Sequence, residues 1–293
     1  MNKPMKSNLV KGLLGLVVAG ITATAAEPKK VLVVTTTLEF RHSSIPTAEK
    51  ILAKLADKTQ VFTVDYARVE PNDPQFQDPT TKKPDKKKVD AAIAKVLAEK
   101  MSPEALKNYD AIIFANTTGN LPLPDKDAFL AWLKSGKAFI GMHSCSDTFH
   151  GWPAYIEMLG GEFKTHNAQA GVECMNMDPT HPANAKLGKS WVINQEEIYL
   201  MKNYAKDQCH EVLTLDKHPN DKTPGSYPIS WCKSYGAGRV FYTSLGHRED
   251  IWDDETPADY QRINPVEVSR AYQRHILGGI EWAMGLEGDK VKP

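Results

Sequence analysis

The chain has 293 residues, 41% of them hydrophobic, with 36 basic and 36 acidic side chains. That length and apolar fraction suit a globular protein with a large core and exclude collagen-like, disordered and disulfide-scaffold classes. A net charge of zero lacks the basic excess of a nucleic-acid-binding protein, and it hides an asymmetry: residues 1–26 hold Lys3, Lys6 and Lys11 and no acid, leaving 33 basic against 36 acidic side chains in the rest.

Residues 1–26 read as a secretory leader. They have a basic start, an apolar run over 13–21, and small residues Ala23-Thr24-Ala25-Ala26 ahead of Glu27-Pro28. The run is shorter than the roughly 20 residues a membrane span needs. The expectation is a cleaved leader, an exported protein (periplasmic or secreted) without stable membrane insertion, and a single α/β domain over 27–293. Export permits disulfides, but Cys145, Cys174, Cys209 and Cys232 form no C-x-x-C and read as buried free thiols.

The first element is the apolar, β-branched run over 31–36, a buried parallel strand. A loop over 37–46 leads to a helix over 47–57 and a strand over 61–65. Residues 70–88 read as a surface loop, and 89–100 as an amphipathic helix. Its neighbourhood holds seven lysines between Lys82 and Lys100, interleaved with Asp85, Asp90 and Glu99, a solvated face rather than a nucleic-acid patch. Strands over 111–115 and 138–142 flank a helix over 125–134. The βα alternation predicts a mainly parallel central sheet with right-handed crossovers and helices on both faces. Beyond His150 come strand-like pieces at 171–177, 191–195 and 212–215. Strands over 229–232 and 239–244 are joined by the turn Tyr235-Gly236-Ala237-Gly238, and a last helix covers 267–284.

Ligands of parallel α/β sheets bind beyond the carboxyl ends of the strands. Those ends here are followed by Glu39-Phe40-Arg41-His42-Ser43-Ser44, by Asn116-Thr117-Thr118-Gly119, by His143-Ser144-Cys145-Ser146-Asp147 and by Leu245-Gly246-His247-Arg248-Glu249. Glu196 and Glu197 follow the strand piece at 191–195, and His166 follows a Gly160-Gly161 turn. His42, His143, His166 and His247 are therefore candidate ligands of a divalent, zinc-like metal, and His143, Glu197 and His247 candidate acid–base groups. Any single loop histidine is more often a hydrogen-bonded residue than a ligand, and no H-E-x-x-H occurs, so the case rests on convergence through the fold. His150, His181, His210, His218 and His275 read as structural or surface residues.

Gly141-Met142-His143-Ser144-Cys145 has the outline of a strand–elbow–helix turn with His143 in the middle position. Cys145 or Ser144, with His143 or His150 as base, would make a nucleophilic hydrolase. Gly236-Ala237-Gly238 is a hairpin turn and no P-loop occurs, so no nucleotide cofactor is expected. Arg41, Asn116, Thr117, Asp147, Trp152 and Tyr199 read as substrate-binding residues. Phe149, Trp152, Tyr155, Tyr199, Tyr204 and Trp252 cluster near the same edge and suit the apolar faces of sugar rings, with core packing an equal reading for Trp152 and Tyr155.

Taken in order, these blocks resemble the ThuA-like (trehalose-utilisation) family over about residues 31–285. The resemblance is carried by Phe40-Arg41-His42-Ser43, Asn116-Thr117-Thr118-Gly119, Gly141-Met142-His143 with Asp147, Trp152 and Tyr155, and Leu159-Gly160-Gly161-Glu162-Phe163 with His166. It continues through His181-Pro182, Glu196-Glu197-Ile198-Tyr199, Pro228-Ile229-Ser230-Trp231, the stretch from Gly238 to His247, and Leu277-Gly278-Gly279-Ile280-Glu281-Trp282-Ala283. It implies a flavodoxin-like fold of the class I glutamine amidotransferase type, and a role in carbohydrate catabolism linked to trehalose and related disaccharides through 3-keto-sugars. Amidotransferases have Cys at the elbow; His143 stands there instead, so that chemistry does not carry over. Glu196 stands where the family usually has Asp, one methylene longer. The resulting expectation is an exported enzyme, a hydrolase or lyase of a glycoside or 3-keto-glycoside, with a small carbohydrate as its partner. A non-catalytic carbohydrate-binding protein and a Cys145-dependent hydrolase are the alternatives.

Overall fold

A computed structural model describes residues 1, 27–256 and 260–286. Apart from Met1, the leader read over residues 1–26 lies outside the described residues. The chain enters at β1 (Lys29–Val34), then α1 (Ile45–Thr59), β2 (Phe62–Ala67), α2 (Lys86–Lys100), the short α3 (Pro103–Leu106), β3 (Ala111–Ala115), α4 (Lys126–Lys134) and β4 (Ala138–Met142). A 3₁₀ turn at His143–Asp147 precedes α5 (Pro153–Leu159). Then follow β5 (Glu162–Thr165), β6 (Ala170–Asn176), β7 (Ser190–Glu196), β8 (Leu200–Lys202), β9 (His210–Lys217), β10 (Pro224–Tyr235), β11 (Gly238–Thr243), α6 (Glu249–Trp252) and α7 (Val266–Ala283).

Nine strands form one sheet in the order β2-β1-β3-β4-β11-β10-β9-β6-β7, and β5 pairs with β8 apart from it. The pairings from β2 to β11 are parallel, and those from β11 through β10, β9 and β6 to β7 are antiparallel. The expected α/β architecture with parallel central strands is present, and the hairpin after β10 begins its antiparallel extension. β3 and β4 are buried at every position, which is where an apolar run without polar alternation can sit. Alternation along β1 still sorts side chains between the two faces. Val31 and Val33 join α1 and α7 in one core, with Ile51, Leu52, Tyr272 and Ile276. Leu32 and Val34 join α2, α4 and α5 in the other, with Ile93, Phe129, Tyr155 and Met158.

Element ends differ from the sequence reading for local reasons. α2 starts at Lys86 because the Asp85 side chain accepts hydrogen bonds from the backbone N–H groups of Lys87 and Lys88. β10 begins at Pro224, well before residue 229, through a bulged stretch whose first residues, Pro224, Gly225 and Ser226, are exposed and carry no strand pattern. β5 and β8 are short and mixed in polarity, and the sequence reading has no strand at either place. Among the described residues no helix is long and apolar enough to cross a membrane.

α7 carries two interior glycines, a choice that ordinarily costs about 1 kcal/mol each relative to alanine. Packing explains both. A Cβ on Gly278 would collide with the Pro182 backbone, and one on Gly279 with the Phe241 ring on β11. Gly279→Ala is therefore expected to destabilise the protein by about 1–3 kcal/mol, reversing the gain that an exposed helical position would show. The shift in urea or thermal midpoint measures it; an unchanged or raised midpoint would contradict this packing.

Candidate functional site

Loops at the carboxyl ends of the parallel strands meet at one edge. After β1 the chain lies against the loop after β3: Thr37 bridges Thr118, Leu38 N donates to Thr118 O at 3.1 Å, and Thr118 Oγ1 donates to Phe40 O at 2.9 Å. This places His42 over the sheet edge. β4 runs into His143, whose φ of +48° is left-handed, a strained conformation that turns its side chain out of the strand at the elbow. β11 leads through Ser244, Leu245 and Gly246 to His247, and β7 leads to Glu196 and Glu197.

One ligand atom each from His42, His143, Glu197 and His247 lies within 4.8 Å of the others. His143 Nδ1 is 2.7 Å from Ser244 O. A carbonyl only accepts, so Nδ1 carries the proton and Nε2 presents its lone pair to the cluster. That Nε2 is 3.2 Å from His42 Nε2 and 3.5 Å from Glu197 Oε2. His247 Nδ1 is 3.1 Å from Glu197 Oε2. The alignment of that last contact is not that of a hydrogen bond, so His247 Nδ1 is a buried nitrogen without a hydrogen-bond partner. Ser144 Oγ, 3.3 Å from His42 Nδ1, supports the ring from the other side.

The environment sets the charge of each group. Burial, then the neighbouring His143 and His247, pushes His42 down to about 2, so its imidazole is neutral. Burial also lowers His143. Burial alone would lower His247, but the Glu197 carboxylate outweighs it and raises it. For Glu197 burial acts upward, yet contacts from His143 and His247 hold it well below the usual carboxylate range. The result is a carboxylate anion ringed by imidazole nitrogens, the donor types that suit zinc.

The structure does not bring every candidate residue into this group. His166 stands outside the four: its Nδ1 is 3.1 Å from Glu197 Oε1, on the outer side of the carboxylate, and its side chain is 43% exposed. Tyr199 packs its ring 4.3 Å from that of His143. Arg41 turns back to Thr35 O and Glu70 Oε2, at 3.3 and 3.0 Å. Asn116 and Thr117 are fully buried and tie loops together, Asn116 Nδ2 to Ser44 Oγ and Gly246 O, Thr117 Oγ1 to Thr148 Oγ1. Trp152 packs among Phe129, Phe149 and Tyr155 under Lys126, and Trp252 is buried with its indole N–H on Gly246 O. A cavity of about 600 Å³, lined by Glu39, Arg41, Glu70, Asn72 and Asp90 among others, touches the group only at His42.

Two features of the edge escape the sequence reading. His150, read as structural or surface, bridges Asp147 Oδ1 and Glu162 Oε2 at 2.6 Å each. Both partners accept, so both ring nitrogens donate; burial acts downward, but the two carboxylates outweigh it and raise this imidazole. Asp147 is thus engaged by His150 rather than standing free. Glu196 is fully buried and accepts from the N–H groups of Gly246 and His247 at 3.1 and 2.7 Å, while its Oε2 has no hydrogen-bond partner. Burial pushes its carboxyl up to about 7. The Glu196-Glu197 pair was visible in the sequence, but the division of labour within it depends on which way β7 faces. His181, His210, His218 and His275 hold local contacts, as with His275 between Ala183 O and Thr243 Oγ1.

The ThuA family model, described as trehalose utilisation, matches residues 30–262, and the chain belongs to that family. A ThuA-like protein from Parabacteroides merdae superposes with a TM-score of 0.64 at 16% identity, over 91% of this chain and 93% of that one. Another from Bacteroides uniformis gives 0.60 at 19% identity, over 90% and 95%. These likenesses show the flavodoxin-like α/β fold. No curated protein matches the chain. The family description supports a carbohydrate-related role.

The elbow thiol is a different matter from the cluster. Cys145 lies two residues past His143, fully buried, its Sγ 3.2 Å from Tyr155 Oη, and burial pushes the thiol up to about 12. A nucleophile needs an accessible thiolate, so the Cys145-dependent hydrolase is set aside. Cys145, Cys174 and Cys232 are buried, and only Cys209 is partly exposed. Under native conditions a thiol reagent such as DTNB is expected to find at most one reactive site, with the others appearing on unfolding. Rapid native labelling of Cys145, located by peptide mapping, would contradict this geometry.

Proposed function

We propose that this ThuA-family protein processes a small carbohydrate, a glycoside or 3-keto-glycoside related to trehalose, at the His42, His143, Glu197 and His247 cluster, and that the cluster holds a divalent, zinc-like cation. The donor set carries this reading. Loops after four different strands deliver three imidazoles and one carboxylate. His143 Nε2 is aimed inward by the bond from Nδ1 to Ser244 O, and His247 Nδ1 is buried without a hydrogen-bond partner. An imidazole held through its other nitrogen by a backbone carbonyl is the usual support of a metal-binding histidine. Bound there, the cation would polarise a keto or hydroxyl oxygen of the sugar.

The chain's own residues supply the rest. Tyr199 is nearly buried beside His143, and burial, followed by Glu197, keeps its phenol protonated far above the usual range. It serves as a neutral hydrogen-bond partner for a sugar oxygen. His166 is the proton carrier. Its Nδ1 faces Asn167 O at 3.0 Å and Glu197 Oε1 at 3.1 Å, both acceptors. Nδ1 therefore donates to them and Nε2 is the nitrogen left to accept the substrate proton, with Glu197 orienting the ring. In a 3-keto-sugar the C2 proton is acidified by the neighbouring carbonyl. Its transfer to His166 Nε2 leaves the C2–H electron pair to form a C1–C2 double bond, as the C1–O bond breaks with its pair on the departing oxygen. Activity outside the cytoplasm is part of the proposal and is supported by the leader-like residues 1–26.

Metal analysis and turnover of 3-keto-disaccharides test the reading together. The purified protein is expected to hold stoichiometric zinc, which His143→Ala and Glu197→Gln lose along with turnover. His166→Ala is expected to keep the metal and lose about 10²-fold or more in kcat, the usual worth of a positioned base. Sugar binding without product would identify a carbohydrate-binding protein instead. Full activity in His143→Ala would remove the cluster from the mechanism.

A further inference from the structure

Phe40 is placed unlike any other ring in the protein. Among the described residues it is the only Phe, Trp or Tyr that is mostly exposed, at 63%. Its loop is not loose. Thr118 holds it by the Thr37 bridge, by its carbonyl on Leu38 N and by its hydroxyl on Phe40 O. Arg41, the next residue, is tied to Thr35 O and Glu70. On the other side the loop lies so close to Gly119 that a Cβ there would stand 3.1 Å from both Leu38 Cβ and Glu39 Cγ. A rigid loop thus presents a phenyl ring to solvent, although burying such a ring is one of the larger favourable terms available to a side chain.

The exposed ring is also the outer end of a continuous row. Phe40 meets His42 edge-on at 4.7 Å, His42 meets His143 at 4.7 Å, His143 meets Tyr199 at 4.3 Å, and Tyr199 meets the partly exposed Phe163 at 4.3 Å. Rings therefore stand at both ends of the row, and the cluster lies between them. A sugar ring has apolar C–H faces and a polar hydroxyl rim, so an aromatic platform beside a polar cluster matches it on both counts.

We infer that Phe40 is the stacking platform on which the C–H face of a sugar ring rests while its oxygens face the His42 cluster. The inference rests on the carbohydrate reading above and adds the residue that selects a ring over a small acyclic polyol. The test uses the full chain loaded with zinc, in the wild-type, Phe40→Ala and Phe40→Trp forms. Trehalose and its 3-keto derivative are titrated by calorimetry, with glycerol as the acyclic control and zinc content measured on each form. Phe40→Ala is expected to weaken sugar binding about tenfold or more, equivalent to ~1.4 kcal/mol, with the loss in KM rather than kcat and with zinc retained. Phe40→Trp is expected to restore binding, and its indole emission to shift on adding sugar but not glycerol. Wild-type-like sugar affinity in Phe40→Ala would overturn the inference and leave the carbohydrate reading standing. Failure of the wild type to bind either sugar would overturn both.

Discussion

The peptide group between Gly246 and His247 holds this edge together. The Gly246 carbonyl receives Ser44 Oγ from the loop after β1, Asn116 Nδ2 from the end of β3 and Trp252 Nε1 from α6, at 3.0, 3.1 and 2.8 Å. The N–H groups of Gly246 and His247 go to Glu196 at the end of β7. Three segments distant in sequence, together with α6 just downstream, thereby converge on one turn. The turn needs glycine, because φ is +126° and a Cβ would stand 2.8 Å from Tyr272 Oη. His42, His143 and His247 meet because this hub sets the heights of their loops. Asn116 and Glu196 therefore contribute to the site by fixing backbone, without belonging to the cluster.

Adjacent Glu196 and Glu197 show how environment divides two chemically equal groups. Glu196 lies in the core, where burial outweighs the pull of His247, of its two backbone donors and of Arg248 and pushes its carboxyl up to about 7. Glu197 is less buried and faces imidazoles on both oxygens, so it stays ionised. Pairs of carboxyls pushed apart in this way mark a site where charge is placed deliberately. The Glu196 side chain reaches backbone N–H groups rather than a ligand position.

Much of this was legible in the chain. β3 and β4 could be read to the residue, because a continuous apolar run between turn signals admits few other structures. His42, His143 and His247 could be placed on one edge because the carboxyl ends of parallel strands share a side of the sheet. The aromatic reading fared differently. Phe149, Tyr155 and Trp252 pack in the interior, whereas Phe40 stands exposed beside the cluster, and no spacing rule distinguishes the two. His166 follows β5, whose partner strand, β8, has only three residues, so the offset that leaves its ring outside the cluster is a tertiary fact. His150 likewise depends on Glu162, twelve residues away, arriving on β5.

The elbow shows how one strained residue aims a side chain into the site. A left-handed residue at the end of β4 throws its side chain to the sheet edge whatever that side chain is. With His143 there, the next turn packs downward: a Cβ on Gly141 would stand 2.5 Å from Cys145 Sγ and 3.2 Å from Leu159, so the thiol fills the space that a side chain on β4 would have taken. Tyr242 Oη donates to His143 O at 2.8 Å and also meets Ser146 Oγ at 2.8 Å, which clamps the strained turn from β11. The same strand end offers Ser244 O to His143 Nδ1 and so selects the tautomer. Strain at one φ angle, a missing Cβ at Gly141 and one backbone carbonyl together aim the imidazole lone pair of His143 inward.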